Sequence, residues 1–309
     1  MPERIVLTGA GGFLGQPLLQ ALHSAGFRTR GIYGPDDPAE LNSPEDYQCD
    51  INQESILRFA VAEADIVVHL AGPPSVADSF AEPARPLRDH AVGTATLLAA
   101  LRHTDLHRFV YISSAEVYGQ PNQNPASEDT PLCPLSPYAA AKLAAEVLVT
   151  ANAIERRYQA TIMRPFTLFG PRLRDGSLIN RILQSAVSNQ PVSVMDLTVI
   201  RDYLWVEDAV EAIVLACTTR QTTQVAVYNL GSGIGHSVAD IVSTARKLTG
   251  STAPVTATGR RDRPAALDIT CLVASIGRIE SGLCWRPKTS LEEGLGALLG
   301  ETSGKSARE

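Results

Sequence analysis

The sequence predicts an α/β protein in which a doubly wound parallel sheet is covered by helices on both faces and a smaller C-terminal lobe closes over a ligand. Two observations carry that prediction. Short, almost wholly apolar runs alternate with helical patterns through the first half of the chain, and strands apolar on both sides need a helix layer on each face. Beyond Gly170 the alternation loosens, and segments rich in Gly, Pro, Arg and Asp, from Gly170 to Gly176 and from Thr256 to Asp268, interrupt shorter helices.

The elements follow in chain order. IVLTG from Ile5 reads as a strand, then a helix from about Gly12 to Ser24, then a second strand, TRGIY, ending at Tyr33. DIVVHLAG from Asp65, a helix near Thr94 to Arg102 and RFVYISS from Arg108 continue the pattern. ATIMRPF from Ala160, reached by the helix that follows Tyr138, adds a strand, and YNLGS from Tyr228 adds one that can return to the first sheet. The expected division is therefore residues 1–170 as the sheet domain, with a strand near 225–231, residues 171–300 as the second lobe, and 301–309 as a frayed tail.

Composition narrows the function. At 309 residues, 44% apolar and 19% charged, the chain can bury a full core. A net charge of −6 with no basic run argues against nucleic acid, and the one dense cluster, Arg260, Arg261 and Arg263, encloses Asp262 and reads by default as a solvated loop. Five cysteines without CxxC or a nearby His pattern indicate neither a disulfide framework nor a metal site, and suit a reducing compartment. No signal-like or spanning apolar run is present, so a cytoplasmic protein with no membrane partner is expected.

Gly9, Gly12 and Gly15 lie three apart after a strand and open a helix. In that context glycines permit a tight turn and bring a pyrophosphate to unpaired N–H groups at the helix start, the Rossmann arrangement. At the end of the second strand, where a ribose-binding acid is expected, stands Tyr33, followed by Gly34, Pro35, Asp36 and Asp37. With acids there and no cation to welcome a 2′-phosphate, NAD is favoured over NADP without excluding it. Asp50 either meets the adenine edge or caps the following helix.

SPYAAAKLAAE is the most informative stretch. Ser136 can cap, Pro137 suits the first helical position, and Tyr138 and Lys142 then fall one turn apart on one face. An ammonium beside a phenol, helped by the positive nicotinamide ring, favours phenolate and makes the tyrosine a usable base. YISSAEVYG ends a strand at the sheet edge where ligands bind, and Ser114, closer to the loop than Ser113, can donate to the same substrate oxygen. Glu116 is either a second acid–base group or a carboxylate paired with an arginine.

TGAGGFLG, the Ser114, Tyr138, Lys142 set, MRPFTLFGPR and IRDYLWVEDAVEAI together resemble the extended short-chain dehydrogenases/reductases, specifically the NAD-dependent epimerase/dehydratase family acting on nucleotide sugars, from about Ile5 to Leu298. The resemblance implies that Gly9, Gly12 and Gly15, with Phe13 and Leu14 between them, hold the cofactor. It places Tyr33, Asp50, Ile51, Leu70, Ala71, Gly72 and Pro165 along the cofactor, with Lys142 and Tyr138 at its nicotinamide end. Ser75, His90, Ser114, Thr167 and Arg201 are implied on the substrate side, Arg201 toward the diphosphate, with Arg261 as a second contact of that kind. Arg164 and Pro165 begin the segment leading to the sugar nucleotide. A homodimer built from the helix at Thr94 and the helix carrying Tyr138 is also implied.

Three positions depart from the family pattern. Tyr33 replaces the ribose acid. His90 and Thr167 stand where asparagines are common, and His90 is either a new polar contact or a solvated helix residue. Ala115 occupies the position where dehydratases carry an acid, which disfavours a 4,6-dehydratase. The expected reaction is C4 epimerisation of a nucleotide-linked hexose through a 4-keto sugar. A 4-ketoreductase is the alternative, followed by a decarboxylase using Glu116 and by a non-catalytic redox sensor.

Overall fold

The computed structural model describes residues 2–37, 41, 43–174, 176–259 and 267–306. In chain order, β1 (Arg4–Thr8), β2 (Arg28–Tyr33), β3 (Tyr47–Gln48), β4 (Ile66–His69), β5 (Arg108–Ile112) and β6 (Gln159–Pro165) come first. The short strands β7 (Thr167–Phe169), β8 (Val192–Val194) and β9 (Ile200–Trp205) follow, then β10 (Val225–Leu230), β11 (Gly235–Ser237), β12 (Val255–Ala257) and β13 (Cys271–Leu272). Seven of them make one parallel sheet in the order β10-β6-β5-β4-β1-β2-β3. Because the chain runs outward from β1 first through β2 and β3 and then through β4, a crevice opens where the carboxyl ends of β1 and β4 diverge.

The apolar strands supply two cores at once. In β1, Ile5 and Leu7 face the layer holding Leu18, Leu22 and the Val206–Thr218 helix, while Val6 faces the layer holding Leu57, Leu97 and Val149. That double duty explains why these strands lack polar alternation. Behind them, β9 carries β11, β13 and β7 in a second sheet, and the helices Leu178–Ser188 and Val238–Thr249 pack with Phe169 and Trp205 in a third core. β10 lies at the edge of the main sheet, in register with β6.

Two helices differ from the sequence expectation. The first begins at Gly15, not near Gly12, because Gly9 to Leu14 are spent on the turn out of β1. The segment expected near Thr94 starts earlier: a helical turn at Ala84–Pro86 leads into a π-helical turn, Leu87–Val92, which widens the coil before regular helix resumes at Gly93–Ala100. The Pro137–Arg156 helix is capped by Ser136, whose Oγ accepts from Ala139 N at 3.1 Å, with Pro137 in its first turn and Arg157 in left-handed conformation at its end. Among the described residues no helix is long and apolar enough to cross a membrane, and no group of three or more His, Cys, Asp or Glu could hold a metal ion.

Gly15 tests how tightly the first turn is built. A Cβ there would stand 2.0 Å from the Gly9 carbonyl oxygen, which is fixed backbone. Gly15→Ala is expected to cost about 1–3 kcal/mol in urea unfolding, whereas Gly277→Ala, with nothing within 4 Å, leaves stability unchanged or slightly higher. Equal stability of the two variants would contradict the packing described.

Candidate active site

The crevice is organised by a polar relay beneath it. Thr8 Oγ1 meets His69 Nδ1 at 2.7 Å and accepts from the amides of Leu70 and Ala71, both at 3.2 Å, while His69 Nε2 reaches Thr94 Oγ1 at 2.9 Å. These bonds tie the ends of β1 and β4 to the helix behind them. Burial, with Lys142 nearby, pushes the His69 imidazole down to about 3, so it stays neutral. Above the relay, Gly9 is in positive φ (71°), and Gly9 N and Ala10 N both donate to the Ile32 carbonyl, at 2.9 and 3.2 Å. The loop thus presents backbone at the start of a ten-residue helix, Gly15–Ser24, as a cradle packed so closely that a Cβ at Gly9 would meet the Ala71 amide at 3.0 Å and one at Gly15 the Gly9 carbonyl at 2.0 Å. The residues fit a dinucleotide pyrophosphate. Gly12, Phe13 and Leu14 border the cradle, Leu70, Ala71 and Gly72 pass below it, and Pro165 ends β6.

Two expectations for residues near the cofactor change. Tyr33 is wholly buried in the core beside Leu18 and Leu22, so its side chain is not offered to a ribose. Asp50 is not the helix cap: its carboxylate accepts from the Asn52 amide and side chain, both at 2.9 Å, and Gln53 occupies the cap position. Those hydrogen bonds hold its acid below the ordinary value. Ile51 packs on Gly93, where an added Cβ would come within 2.7 Å of it.

Tyr138, Lys142 and Glu146 form a stripe on the buried face of the Pro137–Arg156 helix, each less than a tenth exposed. A surface tyrosine and lysine are thereby excluded. Lys142 Nζ donates to the Ile112 carbonyl at 2.8 Å and lies over the Tyr111 ring. Glu146 closes the stripe: it accepts from Ser113 Oγ at 2.5 Å and pairs with the Arg164 guanidinium at 2.7 and 3.0 Å. Ser113 is thus held by the helix, while Ser114, buried at the end of β5, hydrogen-bonds Tyr138. Burial pushes Tyr138 up to about 12, against the lowering effect of Ser114, and Glu116 raises it further. Burial also pushes Lys142 down to about 7, with Glu146 opposing. In the chain without its dinucleotide, withdrawal from water outweighs attraction in both groups, so the phenolate expected from Lys142 and a positive nicotinamide ring together calls for that ring.

His90 is neither solvated nor at the surface. Its ring meets Tyr138 edge-on at 5.3 Å between centroids and fills the space above Gly72, where an added Cβ would stand 2.2 Å away. Nε2 lies 3.2 Å from the Pro73 carbonyl, and burial pushes the ring down to about 2. Of the other substrate-side residues, Ser75 caps the Val76–Ala81 helix through Asp78 N, and half-buried Glu116 and Arg201 share a cavity of ≈ 190 Å³ with Leu135, Ser136 and Ile269. Arg201 also borders a ≈ 500 Å³ cavity with Thr167, Leu178, Met195 and Tyr203. Its guanidinium donates to the carbonyls of Ile200 and Ile269 at 2.9 and 2.8 Å, which aims it between the two spaces. Arg260, Arg261 and Arg263 lie outside the described residues.

A glycine cradle at the β1/β4 crevice, joined to a buried Ser-Tyr-Lys set and two adjoining cavities, defines a dinucleotide-dependent oxidoreductase of a hydroxyl-bearing substrate. Residues 5–231 match the model of the NAD dependent epimerase/dehydratase family, and the chain belongs to that family. A UDP-glucose 4-epimerase of Streptomyces lividans is 30% identical over 93% of this chain and 92% of its own length. Among solved structures, MoeE5 in complex with UDP-glucuronic acid and NAD superposes with a TM-score of 0.87 at 30% identity, covering 98% of this chain and 99% of that one. A UDP-glucuronic acid 4-epimerase from Bacillus cereus, in complex with UDP-glucuronic acid and NAD, gives a TM-score of 0.87 at 29% identity over 98% of this chain and 99% of its own.

Glu146 and Arg164 were not read from the sequence as a positioning pair. The spacing held the signal, since Tyr138, Lys142 and Glu146 recur every fourth residue. Lys142 makes a stability prediction whose sign is fixed. Below its ordinary 10.5 the unfolded chain holds a proton that the folded chain gives up until about 7. The folding penalty is therefore full below about pH 7 and fades as pH rises toward the unfolded value. Lys142→Met is expected to raise stability by a few kcal/mol near neutral pH, the gain shrinking by about pH 10, as read by urea unfolding across that range. A pH-independent difference would contradict the buried amine.

Proposed function

We propose that this chain is an NAD-dependent C4 epimerase of a nucleotide-linked hexose, working in the cytoplasm as a homodimer. The observation that carries the reading is the convergence of Ser114, Tyr138 and Lys142 on the crevice that the glycine loop opens. Tyr138 takes the proton of the 4-hydroxyl and Ser114 holds the same oxygen as it becomes a carbonyl; the 4-keto sugar turns over, C4 takes its hydride back on the opposite face, and Tyr138 returns the proton to the 4-oxygen. NAD, when bound, supplies the hydride acceptor and a positively charged ring. Lys142, fixed by the Ile112 carbonyl one helical turn from Tyr138, would give the nicotinamide ribose a donor. Residues 1–170 with β10 hold the dinucleotide, and the lobe of residues 171–300 holds the sugar nucleotide, with Arg201 at its diphosphate.

Buried Ala115 offers no proton to a leaving hydroxyl, which supports epimerisation over dehydration. Tyr138→Phe is expected to lower turnover about 10²–10⁴-fold with little change in sugar-nucleotide affinity. The assay is interconversion of UDP-glucose and UDP-galactose followed by chromatography; unchanged turnover removes the acid–base role. Net consumption of reduced dinucleotide with a 4-keto sugar, and no interconversion, replaces the epimerase with a ketoreductase.

The dimer is supported by apolar side chains left outside the fold on two neighbouring helical segments. Leu87 and Val92 precede and enter the Gly93–Ala100 helix, and Val147, Leu148 and Ile154 run along the outer face of the Pro137–Arg156 helix. Such a face is costly in water and suits a helix pair from a second copy. Sedimentation is expected to give twice the chain mass, and Val147→Glu with Ile154→Glu the single mass. A wild-type monomer at working concentration would sink the proposal.

A further inference from the structure

Residues 170–174, which lead from β7 toward the Leu178–Ser188 helix, take no part in the proton transfers, yet they touch both ligand sites. Their backbone belongs to the second lobe. Leu173 N donates to the Gly170 carbonyl at 3.3 Å, and the Asn180 side-chain amide donates to the carbonyls of Leu173 and Arg174 at 2.9 and 3.4 Å. Their charged side chains reach the other way. The Arg172 guanidinium donates to the side-chain carbonyl of Gln16, and Gln16 Nε2 donates in turn to the Gly11 carbonyl of the glycine loop at 3.2 Å. Arg174 stands 3.9 Å from the Asp78 carboxylate in the Val76–Ala81 helix. Gln16 follows β1 and Asp78 follows β4, so the segment meets both rims of the crevice. Between the two arginines, Leu173 lines the ≈ 500 Å³ cavity with Thr167, Leu178 and Arg201.

Arg172 does not lie in a relaxed loop. Its φ of 63° is in the left-handed region, which disfavours side chains other than those of asparagine or aspartate. Such a residue persists only where its surroundings hold it. Here Asn180 fixes the backbone beside it and Gln16 takes its side chain. The exposed Arg174–Asp78 pair guides the segment and adds little hold.

We infer that residues 171–174 form a strap across the mouth of the dinucleotide crevice, that Arg172 is the positioning residue which latches it to the glycine loop through Gln16, and that a sugar nucleotide against Leu173 keeps the latch shut. Epimerisation returns hydride from the same dinucleotide that took it, so losing that dinucleotide while a keto sugar waits would abort the cycle. A strap fastened by the substrate blocks that loss and opens when the product leaves. Its purpose rests on the epimerase reading, whereas the latch itself needs only a bound dinucleotide.

The test loads the full chain with NADH, chases it with excess NAD and follows the decay of NADH fluorescence, with and without UDP as the probe for the cavity. Bound UDP is expected to slow release from wild type about 10-fold. Arg172→Asn tolerates the left-handed backbone but is too short to reach Gln16. It should release NADH about 3–10-fold faster and lose most of the response to UDP, with its urea unfolding midpoint unchanged. Gln16→Ala should do the same, and the double variant should release NADH no faster than Arg172→Asn alone. Unchanged release in Arg172→Asn, losses that add in the double variant, or a wild-type rate indifferent to bound UDP each overturn the latch. Failure of UDP to bind, read by equilibrium dialysis, removes the uridine nucleotide from the substrate reading, and the release rates without UDP then decide the latch.

Discussion

The site depends on keeping a phenol and an amine out of water on one face of one helix. Tyr138 and Lys142 are buried because the Pro137–Arg156 helix turns that face toward β5, and Glu146 anchors it there through Ser113 and Arg164. Breaking such a buried pair by removing one partner leaves an uncompensated charge, so the anchor is stiff. It also reaches further: Arg164 donates to the Tyr118 hydroxyl, which donates to Asn229 of β10, so β5, β6, β10 and the helix are joined by one network. The cost of that burial appears as the opposed shifts of Tyr138 and Lys142.

His90 belongs to the same constraint. The π-helical turn swings its ring inward against Tyr138 and over Gly72, and Gly72 must lack a side chain for it to fit. Among the described residues its buried Nδ1 has no hydrogen-bond partner. An aromatic wall therefore stands where an asparagine would have offered a flexible amide, and it packs edge-on against the tyrosine.

Much of this was legible in the residues, for identifiable reasons. Apolar runs such as IVLT and IVVH mark doubly covered strands because each must serve two cores, and Ser136 and Pro137 announce a helix start by local chemistry alone. What escaped was set by contacts distant in sequence. Tyr33 looked available because strand ends usually are, yet its ring is drawn into the core over Gly31. Asp50 has the composition of a cap, but bonds to Asn52 begin a turn before the helix. His90 stayed open between a polar contact and a solvated residue because regular helix periodicity does not anticipate a wider turn.

Burial opposes ionisation of Tyr138, and the charge that overcomes it must arrive with the oxidised dinucleotide, since Lys142 is itself driven toward neutrality. The most direct measurement is an ultraviolet difference titration of the phenol, wild type against Tyr138→Phe, with and without NAD. Tyr138 should titrate near 12 in the chain alone and well below that with NAD bound. A phenol already ionising near neutrality without NAD, or one unmoved by it, would contradict the electrostatics described.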